Sequence, residues 1–301
     1  MERKTKQIVE LFGYSPTDVS YDVRKLWDLG ACPFLNKGCT KHNHDQSIIY
    51  GTCSVTSSQG DVIICPNRLY ADDYASLHLV AKEAYGDKVP LLMFSDYVKR
   101  RATVNECVVA LGMNSGKEVK VGRSLSMDWV LARVNKGALV DYTGVEVQSI
   151  DITGNYRDAW HAFKNYDPKR KAVLPSSGHG LNWANVHKRL IPQIIRKGLV
   201  YSRSQFVTKG LFFIVPEIVY QKFEEVVGAD IPKLKKLARN TITVHTYSLG
   251  AEKGAGKQRD LILNRSFTFS LEEFSERFIS GPNLPDGEEL DGVIRKALAI
   301  K

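Results

Sequence analysis

A chain of 301 residues, 43% of them hydrophobic and 10% aromatic, reads as an ordinary soluble globular protein with enough core for one large domain and an appendage, or for two domains. No stretch approaches the run of ~20 apolar residues that a membrane helix needs; Pro216 and Glu217 break the longest one, LFFIVPEIVY, and no apolar segment follows the charges of MERKTKQIVELFGYS, so a cytoplasmic protein is expected. A formal net charge of +9, spread over runs such as YVKRRA, DPKRKA, PKLKKLAR and EKGAGKQR, points to an anionic partner, nucleic acid first, although for any single run a solvated face is the commoner reading.

In chain order, residues 1 to about 30 read as an amphipathic helix and a tether, and residues 31 to about 70 hold four of the five cysteines, closed by the strand DVIICP. Cys32, Cys39, Cys53 and Cys65 are spaced x6, x13 and x11, which matches no standard knuckle. In a reducing compartment their clustering argues against disulfides and for four thiolates around Zn or Fe, a structural metal module in a segment with few core residues. His42 and His44 are spare ligands that could displace one cysteine, although exposed loop histidines are their commoner reading, and buried structural cysteines compete with the metal module as a whole. Cys107, in NECVVALGM, reads as a small core residue. The division that follows is 1–70 for the helix and cysteine module and 71–301 for the rest.

Two helical patterns come next, YADDYASLHLVAKEAYG and SDYVKRRATVNECVVALGM, joined by the short strand VPLLMF. The period then changes to strands, in KEVKVGR, SMDWVLARV and ALVDYTGVEVQSIDI, with the tight-turn signal NKG between the last two. Helical YRDAWHAFKNY, the basic loop DPKRKAVLPSSGHG and a long helix, NWANVHKRLIPQIIRKG, follow, the last kinked at Pro192 and stopped at Gly198. GLFFIVPEIVYQKFEEVVG gives a strand then a helix, and NTITVHTYSL and LNRSFTFSL give two late strands. AEKGAGKQ fails as a phosphate-binding loop, having Ala251 in place of the first Gly and Gln258 in place of Ser or Thr.

Strand alternation puts Glu146 and Gln148 on one face of LVDYTGVEVQSID, ~6.6 Å apart, with Val145 and Val147 on the other. Across the hairpin, Asp128 interrupts a second apolar strand, so that an aspartate and a glutamate can face each other and hold Mg²⁺, while Gln148 orients a water. The competing reading places each of the three on a solvent-exposed edge strand. Asp141 shares the strand with Glu146 at odd spacing and belongs to the opposite face.

Asp128, a turn and then Glu-Val-Gln on the next strand resemble the PD-(D/E)XK nuclease signature, with Gln148 where lysine usually stands. Together with CPFLNKGC, GTCSV, IICPNRL and GLNWANVHKRLIPQIIRKG, these residues closely resemble the NotI family of type II restriction endonucleases, from about residue 25 to at least residue 215. The resemblance implies an α/β (α+β) fold with a PD-(D/E)XK core, a mixed sheet flanked by helices, and a structural four-cysteine metal module. It also implies a prokaryotic, cytoplasmic homodimer that cuts both strands of DNA at a GC-rich palindrome. Asp128 and Glu146 would bind the catalytic Mg²⁺ and Gln148 would take the lysine position, with Glu106, or failing it Glu118, as the further glutamate related nucleases use. For reading guanine and cytosine in the major groove the sequence offers Asn185, Lys188 and Arg189 in the helix and Arg203 and Gln205 beyond it, although phosphate contact or a solvated face suits them as well. The alternative from another class is a metal-stabilised DNA-binding protein without catalysis, which has no need for the three residues to converge.

Overall fold

The apolar runs of the middle and late sequence build one seven-stranded mixed sheet. The structure, a computed structural model, describes residues 6–43, 45–122, 125–170, 175–281, 284 and 286–299. Labelled in chain order, the elements used below begin with β1 (Ile8–Leu11), α1 (Tyr21–Leu29), β2 (Thr52–Thr56), β3 (Asp61–Ile63), α2 (Ala71–Tyr85), β4 (Leu91–Met93) and α3 (Phe94–Arg100). They continue with β5 (Glu106–Gly112), β6 (Trp129–Asn135), β7 (Ala138–Val147), α4 (Arg157–Lys164), α5 (Ile191–Ser202) and β8 (Leu211–Pro216). The last are α6 (Glu217–Val227), β9 (Thr241–Leu249), β10 (Leu261–Ser270), α7 (Leu271–Ser280) and α8 (Gly287–Ala297).

The sheet runs β10-β9-β8-β7-β6-β5-β4. β7, β8 and β9 are parallel, as are β4 and β5, whereas β5, β6 and β7 form an antiparallel meander and β10 returns antiparallel to β9. β8, LFFIVP, is buried along its whole length because it has a parallel neighbour on each side and helices over its faces. The β6–β7 hairpin turns at Lys136 and Gly137, both at positive φ (48° and 78°), the backbone a tight primed turn demands.

Each face of the sheet has its own core. On one, Val130, Phe213 and Val244 pack against Ile191, Ile194 and Tyr201 of α5, Tyr220 and Phe223 of α6, and Phe274 of α7. On the other, Trp129, Leu131, Val145 and Phe212 pack against Leu77, Val80 and Ala84 of α2 and against Cys32, Cys53 and Cys65. The cysteine segment therefore shares a core with the sheet, and β1, β2 and β3 form a separate three-stranded sheet in that layer.

The structure corrects three sequence expectations. Residues 8–11 form strand β1 against β2, not the start of a helix, which begins only at Tyr21. VNECVVALG is strand β5: its run Cys107–Ala110 is buried on both faces, a pattern that periodicity alone does not separate from a buried helix. Gly198 does not stop α5, which runs on to Ser202; it lies inside the helix, where a Cβ would come 2.8 Å from Leu271 Cδ1, so it is the small residue that lets α7 approach. Pro192 sits in the first turn of α5, and the five residues before that helix, Val186–Leu190, form a π-helical turn. Among the described residues no helix is long and apolar enough to cross a membrane.

Candidate active site

The β6–β7 ladder pairs Trp129 with Val145, which makes Asp128 and Glu146 the next residues at its open end. Their contacts are reciprocal: the Asp128 N–H donates to Glu146 Oε1 (3.5 Å), and the Val147 N–H donates to Asp128 Oδ2 (3.0 Å). Gln148 Nε2 adds a third bond to the same Oδ2 (3.2 Å), so the three residues named from the sequence converge. β7 is the middle strand of seven and Glu146 is fully buried, which excludes an exposed sheet edge for it.

Neighbouring elements fix this end of the ladder. Trp129 Nε1 donates to Tyr70 Oη (3.0 Å), and its ring meets those of Tyr70 and Tyr74 edge to face. At Gly112 a Cβ would stand 2.6 Å from the Asp128 carbonyl and 2.7 Å from the Trp129 ring, so β5 closes on β6 there only with glycine. Burial and then the charge of Asp128 raise the Tyr70 phenol, which stays a neutral donor and acceptor.

The largest feature that sequence reading missed is Lys197. Its ammonium donates to Glu146 Oε2 and lies 3.8 Å from Asp128 Oδ1, and the lysine side chain is only 8% exposed. α5 comes this close because of Gly144, two residues before Glu146 on the same face, where a Cβ would stand 2.2 Å from the Tyr201 ring. Strand residues two apart and helix residues four apart are separated by similar lengths, so seating Tyr201 on Gly144 delivers Lys197 to Glu146. The signal was in the sequence: Lys197 falls on the buried stripe Ile191, Ile194, Gly198, Tyr201, where a lysine has no place unless it is paired.

The electrostatics are those of two carboxylates and one cation. Burial first, and Asp128 second, push the Glu146 carboxyl well above the ordinary carboxylate range, while Lys197 pulls it down. Each carboxylate spends one oxygen on backbone N–H groups, leaving Asp128 Oδ1 and Glu146 Oε2 both facing the ammonium. A positive charge is thus held where two free oxygens meet. Two such oxygens plus water and phosphate are the donor set Mg²⁺ ordinarily takes, so the residues fit that ion.

Other sequence candidates scatter. Glu106 is corrected out of the site: it opens β5 opposite Asn135, six strand steps or ~20 Å from the Asp128 end, and is engaged by Arg133 Nε (2.8 Å). Glu118 precedes the short strand Val119–Val121, whose ladder with Leu125–Met127 leads to Asp128; it accepts from Ser126 Oγ (2.7 Å) and pairs with Lys120 (3.0 Å). Asp141 accepts from the Thr208 hydroxyl and N–H, away from Glu146. Asn185 Nδ2 (2.9 Å) and Arg189 Nη1 (3.5 Å) both reach Asp151 Oδ2, just past the Gln148 end of β7, and Lys188 is exposed beside them. Arg203 and Gln205 are exposed at the other end, where the Tyr142 N–H donates to the Phe206 carbonyl.

The four clustered cysteines are free thiols that influence one another. Burial raises Cys53 far, with Cys65 and Cys39 adding to it; burial pushes Cys39 up to about 11, with further contributions from Cys65 and Cys32. Backbone N–H groups point at three of the sulfurs: those of Phe34 and Leu35 at Cys32, Lys41 at Cys39, and Asn67 and Arg68 at Cys65. Such donors stabilise thiolates, which suits a soft cation. Among the described residues, however, no three or more His, Cys, Asp or Glu side chains are grouped so as to hold a metal ion as they stand. His42 turns its Nδ1 to the Asn43 carbonyl (2.8 Å), and His44 lies outside the described residues. Cys107 is buried beside Leu92 and Val109, as a core residue would be.

Residues 25–234, well over half of the chain, match the family model described as Restriction endonuclease NotI. A comparison with curated proteins returns no match.

Proposed function

The chain belongs to the restriction endonuclease NotI family and is a type II site-specific deoxyribonuclease acting on double-stranded DNA; from that premise we propose that it hydrolyses phosphodiesters at a GC-rich palindrome, with Mg²⁺ held by Asp128 and Glu146 in a PD-(D/E)XK core. The observation that carries this reading is the meeting of Asp128 Oδ1 and Glu146 Oε2 around one buried positive charge. Bound there, Mg²⁺ would supply charge stabilisation at the reacting phosphate and a more acidic water.

The chain's own residues do the rest. The Val147 N–H and the Gln148 amide hold Asp128 in one rotamer, so its free oxygen needs no reorganisation when a cation arrives. Gln148, which carries no charge and is no proton acceptor at working pH, orients by hydrogen bonding. Glu146 is fully buried, so its charge interactions are weakly screened. Asn185, Lys188 and Arg189, at the Gln148 end of β7, are the DNA contacts this reading favours; Arg203 and Gln205, at the far end, are less suited to the same duplex face.

The same reading extends to the rest of the chain. The four cysteines, with their N–H donors, would take up Zn or Fe as a structural site within a unit spanning residues 1–70, beside a nuclease unit at 71–301, in a cytoplasmic, prokaryotic enzyme. A homodimer is supported by α8, whose Leu290, Val293 and Ile294 form an exposed apolar stripe with Leu298, while its first turn is acidic (Glu288, Glu289) and its last basic (Arg295, Lys296). Two copies packed antiparallel would cover the stripe and pair the charges.

A non-catalytic DNA-binding protein would leave the buried carboxylate pair without a reason. The test is long DNA incubated with Mg²⁺ and then with EDTA, with cleavage and gel shift followed on the same preparations. Discrete fragments with Mg²⁺ and shifted but intact DNA with EDTA are expected. Uncut DNA in both would refute the catalytic reading.

A further inference from the structure

We infer that Lys197 is a catalytic residue of this nuclease, supplying from α5 the positive charge that Gln148 does not supply from β7. The inference rests on the reading of Asp128 and Glu146 as the cleavage site. Three observations carry it. Lys197 Nζ is bonded to Glu146 Oε2 and stands 3.8 Å from Asp128 Oδ1, on the side of Asp128 opposite the oxygen that Gln148 holds. Both side chains therefore address one carboxylate, one as a neutral amide and one as a cation. Second, the lysine is buried among Ile191, Ile194 and Tyr201, a position where an apolar side chain would serve stability at least as well. Third, a Cβ at position 144 would stand 2.2 Å from the Tyr201 ring, so Gly144 lets Tyr201, and with it Lys197, settle against β7.

An ammonium has three N–H donors. Glu146 takes one, and Asp128 Oδ1 is near enough to attract another only weakly, so at least one donor is free to meet a water or a phosphate oxygen. In hydrolysis the water oxygen bonds to phosphorus, the bond from phosphorus to the leaving sugar oxygen breaks, the water releases a proton to solvent and the leaving oxygen takes one from solvent. Lys197 keeps its protons throughout. Its contribution is a fixed charge and aimed donors where negative charge grows on the phosphate.

The experiment compares wild type, Lys197→Met, the double variant Lys197→Met/Gln148→Lys, and Glu146→Ala. Each is measured by single-turnover cleavage of a cognate duplex with Mg²⁺, by thermal unfolding, and by Mn²⁺ binding read from the free-ion EPR signal. Lys197→Met is expected to cleave ~100-fold or more slowly, as loss of one aimed donor typically does. Its Mn²⁺ affinity should be kept or increased, because a competing positive charge has been removed. The double variant should regain at least ~10-fold of the lost rate, since a lysine at 148 returns a charge to the same carboxylates.

Three results would overturn the inference. These are a Lys197→Met rate within ~3-fold of wild type, loss of Mn²⁺ binding together with cleavage, which would make Lys197 only a scaffold, and a folded double variant that regains nothing. Should Lys197→Met fail to fold, the double variant carries the test alone: folded and cutting supports the inference, folded and inert refutes it. Glu146→Ala separates the two levels of argument. If it cleaves like wild type, the site reading itself fails; if it is inactive while Lys197→Met cuts normally, only the role of Lys197 does.

Discussion

Two buried carboxylates in this molecule are answered by two buried cations, and the two pairs are built differently. Glu10 on β1 is met by Arg68 in a fork, with Nε and Nη2 both donating to Oε1 (3.2 and 3.1 Å) and Nε also to Oε2 (3.1 Å). Ser54 Oγ donates to Oε2 (2.9 Å), Arg68 Nη2 reaches the Arg259 carbonyl (2.7 Å), and the guanidinium lies 5.1 Å from the centre of the Phe34 ring. That pair is neutral and nearly every polar atom in it is spent. At the Asp128–Glu146 end of the β6–β7 hairpin, two carboxyl groups share one ammonium, and each keeps an oxygen turned to a common point. A closed pair fastens elements together, whereas a pair short of one positive charge is prepared to bind it. The choice of cation follows: arginine's planar fork suits permanent bidentate closure, and lysine's compact charge on a flexible stem suits a site whose contacts change.

The widest separation between the two pairs should come from removing one partner of each. Arg68→Ala leaves Glu10 buried and unpaired, at a cost of about 3–5 kcal/mol of folding stability. Urea unfolding should show that loss, with cleavage per folded molecule unchanged. An unaltered unfolding midpoint would mean the pair does not fasten β1 to the core.

Glu146→Ala should do the reverse. Its transition-state stabilisation falls by at least ~3 kcal/mol, roughly a hundredfold or more in rate. Stability should fall less than in Arg68→Ala, because Lys197 keeps Asp128 Oδ1 at 3.8 Å as a counter-charge, and affinity for the cognate duplex should survive or increase in metal-free buffer as repulsion from phosphate is relieved. Asp128→Asn should follow it. If Glu146→Ala were as unstable as Arg68→Ala, the distinction between open and closed pairs would collapse.

How much of this could be read from the sequence depended on how local each contact is. Asp128, Glu146 and Gln148 were legible because a turn of two residues and strand alternation alone bring them together. Lys197 was not, since its place depends on the register of a helix against a strand 51 residues away, set by a glycine and a tyrosine ring. Glu106 was misplaced for the opposite reason, that a short run such as CVVA fits a buried helix and a buried strand equally, and the error moved a carboxylate to the wrong end of the sheet. β1 escaped notice because four residues carry almost no periodic signal, and its strand character comes from its partner β2.

Smaller changes sharpen the picture of the open pair. Gly144→Ala drives a methyl into the Tyr201 ring and should cost about 1–3 kcal/mol as α5 shifts outward. Cleavage per folded molecule should fall with it, because Lys197 moves with the helix. A stable Gly144→Ala enzyme of normal rate would show that α5 is not positioned by this contact. Gln148→Ala removes one neutral hydrogen bond to Asp128 and should cost about 1 kcal/mol, a fivefold to tenfold loss of rate, well short of Glu146→Ala. Single-turnover rates for the two variants on one substrate decide the ranking.

The smallest effect concerns a third kind of buried group, one that has no charged partner. His179 is buried with Nε2 at the Thr56 carbonyl (2.9 Å) and Nδ1 at Ser177 Oγ (2.7 Å), so it joins the short strand Gly178–Leu181 to the end of β2. A carbonyl only accepts, so Nε2 carries the proton and Nδ1 accepts from the serine hydroxyl; the neutral ring satisfies both. Burial holds its pKa below the ordinary 6.5, the Thr56 bond works against that shift, and nearby Lys6 adds to it. The native state therefore binds the proton less readily than the unfolded chain. Its contribution to stability is complete above the unfolded pKa near 6.5 and is lost as pH falls through the lower folded value. His179→Gln keeps a donor for Thr56 but does not titrate, so the urea midpoints of wild type and variant should converge or cross on acidification from neutral pH. Midpoint differences that stay constant across that interval would mean the imidazole is not held neutral by its burial.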